Sequence, residues 1–371
     1  MDKSKIMKPP VEVYYKKELE ALRINDSGSK PENWRLSPKA VRAFILGSDK
    51  PLTLDGERIT IKKKFYGDDT LIERCIVTLA GNRGLMLVGE PGTAKTMLSE
   101  LLSAAISGTS TNTIQGTAGT TEDMIKYSWN YALLLAKGPV KEALVPSPLF
   151  VGMENGIITR CEEITRCPAE VQDSLISVMS DKVLSIPEFG DEGFLFAKPG
   201  FNIIATANTR DRGVNEMSSA LKRRFNFETI FPINDVALEA KIIEEEASKL
   251  LANSGIEMKV DRDAIEILAS TFHELREGIS SDGSRIDKPA AVMSTAEAVS
   301  VYYQSAMSSY YYGNGKLDMD NMVQNILGAI IKENRDDLEK IKSYFNIIIK
   351  NKGIKEGGLW KDYYAARRWL K

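Results

Sequence analysis

The chain has 371 residues, 43% of them hydrophobic and 27% charged, and a net charge of -2. That length predicts about two or three domains of ordinary globular composition, and the near-neutral balance gives no whole-chain push toward nucleic acid or an anionic membrane. No apolar run approaches the roughly 20 residues that span a bilayer, and three cysteines with one histidine cannot build a typical zinc site unaided.

Residues 1–66 read as an N-terminal extension. Pro9-Pro10, the 26–31 stretch and Pro51 break it into short pieces. It carries 15 Lys+Arg against 9 Asp+Glu, a net of +6. A solvated surface is the expected reading, with a docking face for an acidic partner as the alternative. Residues 1–15 contain lysines but no apolar segment, so no secretory signal is expected. The small, odd cysteine count suits a reducing compartment, so a cytoplasmic protein with structural cysteines is expected.

A strand, a glycine-rich turn and a helix come next. Leu85-Met86-Leu87-Val88 is the apolar strand. Gly89-Glu90-Pro91-Gly92-Thr93-Ala94-Lys95-Thr96 is the turn, and Met97-Leu98-Ser99-Glu100 opens the helix. Such a turn aims backbone N–H groups at an anion beside the positive end of a helix. In a P-loop, Lys95 reaches the β- and γ-phosphates and the Thr96 hydroxyl coordinates Mg²⁺. Gly89 to Thr96 and the adjoining Met97 are therefore the candidate nucleotide-binding residues, and a nucleoside triphosphate with Mg²⁺ is the predicted pair of ligands. Ala94 stands where the pattern G-x-x-x-x-G-K-[ST] has its second glycine. It fits if it already has helical φ/ψ, with Gly92 supplying freedom earlier. The alternative is a Gly/Pro loop that opens a helix and binds nothing.

Strand candidates at 84–88, 111–115, 156–161, 201–207 and 227–230 alternate with helices. This predicts an α/β fold, a parallel five-stranded sheet sandwiched by helices and followed by an all-α region. Its ligand belongs at the carboxyl ends of the strands. The third candidate runs into Glu162-Glu163, two acids able to serve Mg²⁺ and accept a proton from an attacking water. Solvated charges are the alternative. Pro168 opens a helix carrying Val171, Leu175 and Met179. The apolar run Ile203-Ile204-Ala205-Thr206-Ala207 ends on Asn208, placed to orient that water or touch the γ-phosphate; a simple turn residue is the alternative. Lys222-Arg223-Arg224 precedes Phe225. A guanidinium there could brace phosphate oxygens, and cations favoured by a helix C-terminus are the alternative.

Beyond residue 234 the pattern turns helical. Asp235 reads as an N-cap. Val236, Ala240, Ile243, Ala247 and Leu250 follow at helical spacing, and Ile265, Leu268, Phe272 and Leu275 repeat it. Residues 313–371 form a charged helical segment ending in Tyr363, Tyr364 and Trp369. The expected division is 1–66, 67–233, 234–312 and 313–371, with no internal repeat.

Five stretches carry a family resemblance: GEPGTAKT (89–96), PSPLF (146–150), EEITRCPAEVQDSLISVMSD (162–181), IIATANT (203–209) and ALKRRF (220–225). In this order they resemble the MoxR family of AAA+ ATPases, in particular its YehL-like branch. The resemblance covers roughly residues 68–312, and Asn33-Trp34-Arg35-Leu36-Ser37 extends it into the N-terminal block. It implies a helical lid after the sheet domain and a Walker B pair in which Glu162 serves Mg²⁺ and Glu163 activates water. The family's usual first acid is Asp. It further implies that Asn208 is sensor 1 and that Arg224 is an arginine finger, with Arg223 as a second cation. A finger acts on a neighbouring subunit's ATP, so a ring, usually a hexamer, is implied. So are a chaperone-like remodelling role, a client protein and a partner with a von Willebrand factor A domain. The 184–198 and 117–137 segments match the family's hairpin and insert, which face the ring pore or a partner. The family's sensor 2 arginine is missing from Ser294-Thr295-Ala296-Glu297-Ala298, with Arg285 and Lys288 as substitutes. An ATP-binding scaffold with little turnover is an alternative. A nucleic-acid motor on the same core is another, disfavoured by the acidic pI of about 5.8.

Overall fold

The computed structural model describes residues 6–208, 215–332 and 334–371. The chain divides into two compact units. One runs to Gly89 and then from Ala94 to Ile230; the other holds Glu90–Thr93 and Phe231–Lys371.

The first unit begins with helices α1 (Val11–Tyr14), α2 (Lys16–Asn25) and α3 (Pro38–Leu46), the hairpin β1 (Leu52–Leu54) and β2 (Glu57–Ile59), and α4 (Asp69–Ala80). Then come β3 (Gly84–Gly89), α5 (Lys95–Ser107), β4 (Thr113–Gln115), α6 (Glu122–Ile125), β5 (Tyr127–Trp129), α7 (Tyr131–Lys137), β6 (Leu144–Pro146) and α8 (Pro148–Asn155). It continues with β7 (Thr159–Glu162), α9 (Ala169–Asp173), α10 (Leu175–Asp181), β8 (Val183–Ser185), β9 (Phe194–Phe196), β10 (Ile203–Asn208), α11 (Ser219–Lys222) and β11 (Phe225–Ile230).

Five of these strands form one sheet in the order β11-β3-β10-β7-β4, and every pairing in it is parallel. Alternate side chains on a strand face opposite sides. Leu85, Leu87 and Ile204 accordingly join a core with α3, α4 and α5 residues such as Phe44, Ile72 and Leu98. Met86, Cys161, Ile203 and Ala205 join a second core with Leu149, Leu175 and Val178 on the other face. All five strand expectations are met within three residues at each end.

The N-terminal block is part of this core. Trp34 and Leu36 are buried, and the Ser37 hydroxyl caps α3 by accepting from Ala40 N. Of its surplus cations, Lys64 is buried rather than solvated. Its ammonium donates to Glu18 at 2.6 Å and sits over the rings of Tyr15 and Phe44. A second expectation is also corrected. The segment carrying Val171, Leu175 and Met179 is two short helices rather than one, because the Ser174 hydroxyl bonds back to Val171 O at 2.7 Å and competes with the helix ladder. The 184–198 segment does contain a hairpin, β8 paired antiparallel to β9, with Phe194 and Phe196 exposed.

The second unit is helical: α12 (Val236–Asn253), α13 (Arg262–Glu277), α14 (Thr295–Tyr312), α15 (Met319–Ile330), α16 (Asp336–Tyr344), α17 (Lys350–Glu356) and α18 (Gly358–Ala365). Asp235 caps α12 through Ala237 N and Leu238 N, as its sequence position predicts. Ser294 and Glu297 form a capping box on α14, so the 294–298 stretch is a helix start. One core runs from Ile243 to Leu370. A buried ion pair joins its elements. Arg276 donates to both oxygens of Glu239, at 2.7 and 3.0 Å, and to Met293 O, while Thr295 donates to Glu239 at 2.8 Å. Among the described residues no helix is long and apolar enough to cross a membrane.

Candidate nucleotide-binding site

Parallel register brings the carboxyl-terminal ends of four strands side by side. Asn208 pairs with Gly89, and Glu162 pairs with Gln115. The turn that follows Gly89 enters α5 through two left-handed residues, Gly92 at φ 78° and Ala94 at φ 66°. Ala94 is therefore not helical, contrary to the sequence expectation. It is the N-cap of α5, and its carbonyl accepts the first helical bond from Leu98 N. The P-loop needs a left-handed residue here. Alanine carries the smallest side chain that can take it, at a cost of about 1 kcal/mol. The Thr93 hydroxyl ties the turn to Glu90 O at 2.8 Å.

Lys95 is buried, and its ammonium donates to Gly89 O at 3.1 Å. Met97, two residues further along, is exposed. Thr96 donates through its hydroxyl to Glu162 Oε2 at 2.9 Å. Glu162 is buried and accepts three more bonds: Ser99 Oγ at 2.6 Å, Thr206 Oγ1 at 2.8 Å and Arg160 Nη2 at 2.6 Å. Burial pushes its carboxyl up, but the Arg160 charge and the three hydroxyls outweigh that and hold it below the usual carboxylate range.

Glu163 stands in the left-handed region at φ 55°. Its N–H donates to Thr206 Oγ1 at 3.0 Å. Its carboxylate accepts from Asn208 Nδ2 at 2.9 and 3.0 Å and from Arg166 Nε at 3.2 Å. Gly116 allows this turn. It donates its N–H to Glu162 O at 2.7 Å, and a Cβ there would lie 2.4 Å from Glu163 O. Thr209, the last residue of the IIATANT run, lies outside the described residues.

The structure therefore gathers Thr96, Glu162, Glu163 and Asn208 into one hydrogen-bonded group. Arg224 and Arg223 are not in it. Arg224 donates to Ser180 Oγ at 2.7 Å and to Ala220 O. Arg223 is exposed and makes no ion pair with a described residue. Arg285 and Lys288 are both exposed in the second unit.

Sequence reasoning passed over Arg160, Ser99 and Thr206. The signal was available. Arg160 lies two residues before Glu162 on one strand face, and Ser99 lies one helical turn after Thr96. The donors fit Mg²⁺: a hydroxyl and a carboxylate are hard oxygen ligands, and Mg²⁺ bound with nucleotide needs only one or two carboxylates beside phosphate and water. Among the described residues no cluster of three His, Cys, Asp or Glu offers an all-protein metal cage.

A parallel sheet sandwiched by helices, with a P-loop after its β3 strand, defines an α/β domain of the AAA+ type. Residues 84–225 match the AAA domain of the dynein-related subfamily, and residues 237–371 match the YehL-like AAA+ ATPase C-terminal domain. The chain is 48% identical over 366 residues to the uncharacterized protein YehL of Escherichia coli, covering 98% of each. It is 29% identical over 176 residues to chaperone MoxR1 of Mycobacterium tuberculosis, covering 47% of this chain and 43% of that one. A solved structure of NtrX from Brucella abortus in complex with ATP overlaps 81% of this chain and 67% of its own, at 11% identity and a TM-score of 0.49. The chain belongs to the family of YehL-like AAA+ ATPases, related at a distance to MoxR1.

Proposed function

We propose that this protein is a Mg²⁺-dependent ATP hydrolase of the MoxR type that couples ATP turnover to remodelling or maturation of a partner protein. One observation carries the reading: the carboxylate of Glu163 is held by Asn208 beside a Glu162–Thr96 pair at the end of the P-loop. Backbone N–H groups of residues 89–96 and the Lys95 ammonium would hold the phosphates. Thr96 and Glu162 would hold Mg²⁺. That ion, when bound, neutralises phosphate charge and orients the transferring group.

Glu163 accepts the proton of the attacking water, and Asn208 keeps its carboxylate aimed while donating no charge of its own. Arg224, with Arg223 beside it, lies apart from this group and suits a finger acting on a neighbouring subunit. That makes the working form a ring, taken as a hexamer. The 1–66 block, the 67–233 core, the 234–312 lid and the 313–371 segment are its proposed domains. The exposed Phe194–Phe196 hairpin and the 117–137 insert would face the pore or a partner. A cytoplasmic location, a client and a partner with a von Willebrand factor A domain complete the reading; the relation to chaperone MoxR1 supports the client.

Steady-state ATP hydrolysis across protein concentration tests it, comparing wild type with Glu163→Gln and Arg224→Ala. Activity per subunit should rise with concentration. Glu163→Gln should lower turnover by about 10²- to 10⁴-fold and still bind ATP. Turnover that is absent at every concentration while ATP still binds would replace this reading with that of a nucleotide-gated scaffold.

A further inference from the structure

We propose that Arg160 is a positioning residue for Glu162 and that the N-terminal helix α1 holds Arg160 in place through Glu12 and Ser110. This rests on the reading of Glu162 as the carboxylate that serves Mg²⁺.

Arg160 is a buried guanidinium whose donors are spread over three directions. Nη2 donates to Glu162 Oε1 at 2.6 Å, Nε to Ser99 Oγ at 2.9 Å, and Nη1 to Ser110 O at 2.6 Å. The planar fork fixes all three partners relative to one another. Among the described residues Arg160 is the cation paired with Glu162, at 2.6 Å, so the guanidinium plane fixes how the carboxylate is turned. With Oε1 engaged by Arg160 and Ser99, Oε2 is left to Thr96 and Thr206. That is the oxygen facing the P-loop hydroxyl, so Arg160 selects which side of the carboxylate meets the nucleotide.

The far end of the network leaves the sheet. Ser110 lies between α5 and β4, and both its N–H and its hydroxyl donate to Glu12 Oε2, at 3.0 and 2.7 Å. Val11 N donates to Ser110 Oγ at 3.3 Å. Lys8 pairs at 3.3 Å with Glu100, whose carboxylate lies 3.9 Å from Arg160. The residues at and before α1 thus hold the loop whose carbonyl holds Arg160. Outer groups of this kind, which orient a ligand without touching the metal, govern how well that ligand works. The N-terminal block is on this argument a working part of the metal site.

The test is equilibrium binding of a fluorescent ATP analogue, with Mg²⁺ and with EDTA, to wild type, Glu12→Gln and Arg160→Lys. Lys17→Ala serves as a control, because Lys17 pairs with Glu57 on the same segment outside the network. Thermal melting checks that each variant is folded. Wild type and Lys17→Ala should bind more tightly with Mg²⁺. Glu12→Gln and Arg160→Lys should keep their EDTA affinity within about twofold and lose about tenfold of the Mg²⁺-linked gain. Folded variants that both keep the wild-type gain overturn the inference and leave the ATPase reading standing. Wild type that binds no nucleotide, or binds it equally with and without Mg²⁺, overturns both.

Discussion

Asn208 Nδ2 lies 2.9 and 3.0 Å from the two carboxylate oxygens of Glu163. The two residues come from β10 and from the turn after β7, strands that are neighbours in the sheet. Thr206, two residues before Asn208, takes the Glu163 N–H as well. One strand therefore grips the acid at both backbone and side chain. Asn208→Ala removes the side-chain hold and leaves the backbone bond. We expect kcat for ATP hydrolysis to fall by about tenfold or more, with KM nearly unchanged. An unchanged kcat would sink the positioning role of this amide.

Gly116 is the floor beneath the same acid. A methyl group there would sit 2.4 Å from Glu163 O and 2.9 Å from its carbonyl carbon. Both are backbone atoms and cannot rotate away. Gly116→Ala should cost about 1–3 kcal/mol of stability and lower hydrolysis beyond what Asn208→Ala does. A urea midpoint and a turnover rate matching wild type would show that the turn can shift without consequence.

Ala94 takes a conformation that favours glycine, with φ 66° and ψ 21°. Replacing alanine by glycine at a helix start usually loses stability through chain entropy, but here it also relieves left-handed strain. Ala94→Gly should be neutral or stabilising by up to about 1 kcal/mol, and Ala94→Val clearly destabilising. Urea unfolding of the two variants checks the ordering, and a reversed order would refute the strain argument.

In the helical unit, Glu239 is fully buried and depends on Arg276 for its charge. Arg276→Met leaves a buried carboxylate facing an apolar chain and should cost about 3–5 kcal/mol. The double change with Glu239→Leu should recover much of that loss, because it removes the orphan. Thermal melting of the single and double variants decides it; a double variant no better than the single would mean that packing, not charge, is at stake.

All three cysteines are buried, and burial, the largest cause in each case, pushes the thiols of Cys75, Cys161 and Cys167 up. Thiolate is the reactive form. At neutral pH a thiol reagent should label none of them in folded protein and all three after denaturation. Rapid labelling of the native protein would contradict the packing around these side chains.

The sequence by itself determined the parallel α/β core and which polar residues close its strands. Apolar strand runs, the glycine turn with Lys95 and Thr96, and the polar residues closing two strands are local patterns, and local periodicity survives folding unchanged. The capping of α12 by Asp235 was legible for the same reason. The tertiary structure alone decided what holds those residues. Arg160 and Glu162 share a strand face, yet Ser99 and Thr206 reach them only because α5 and β10 pack against β7, and Glu12 only because α1 reaches Ser110. The left-handed turns at Ala94 and Glu163 likewise answer to their surroundings, since nothing in an alanine or a glutamate asks for positive φ. Side-chain type and spacing are properties of the chain, whereas a buried charge is stable only where distant segments bring it a partner.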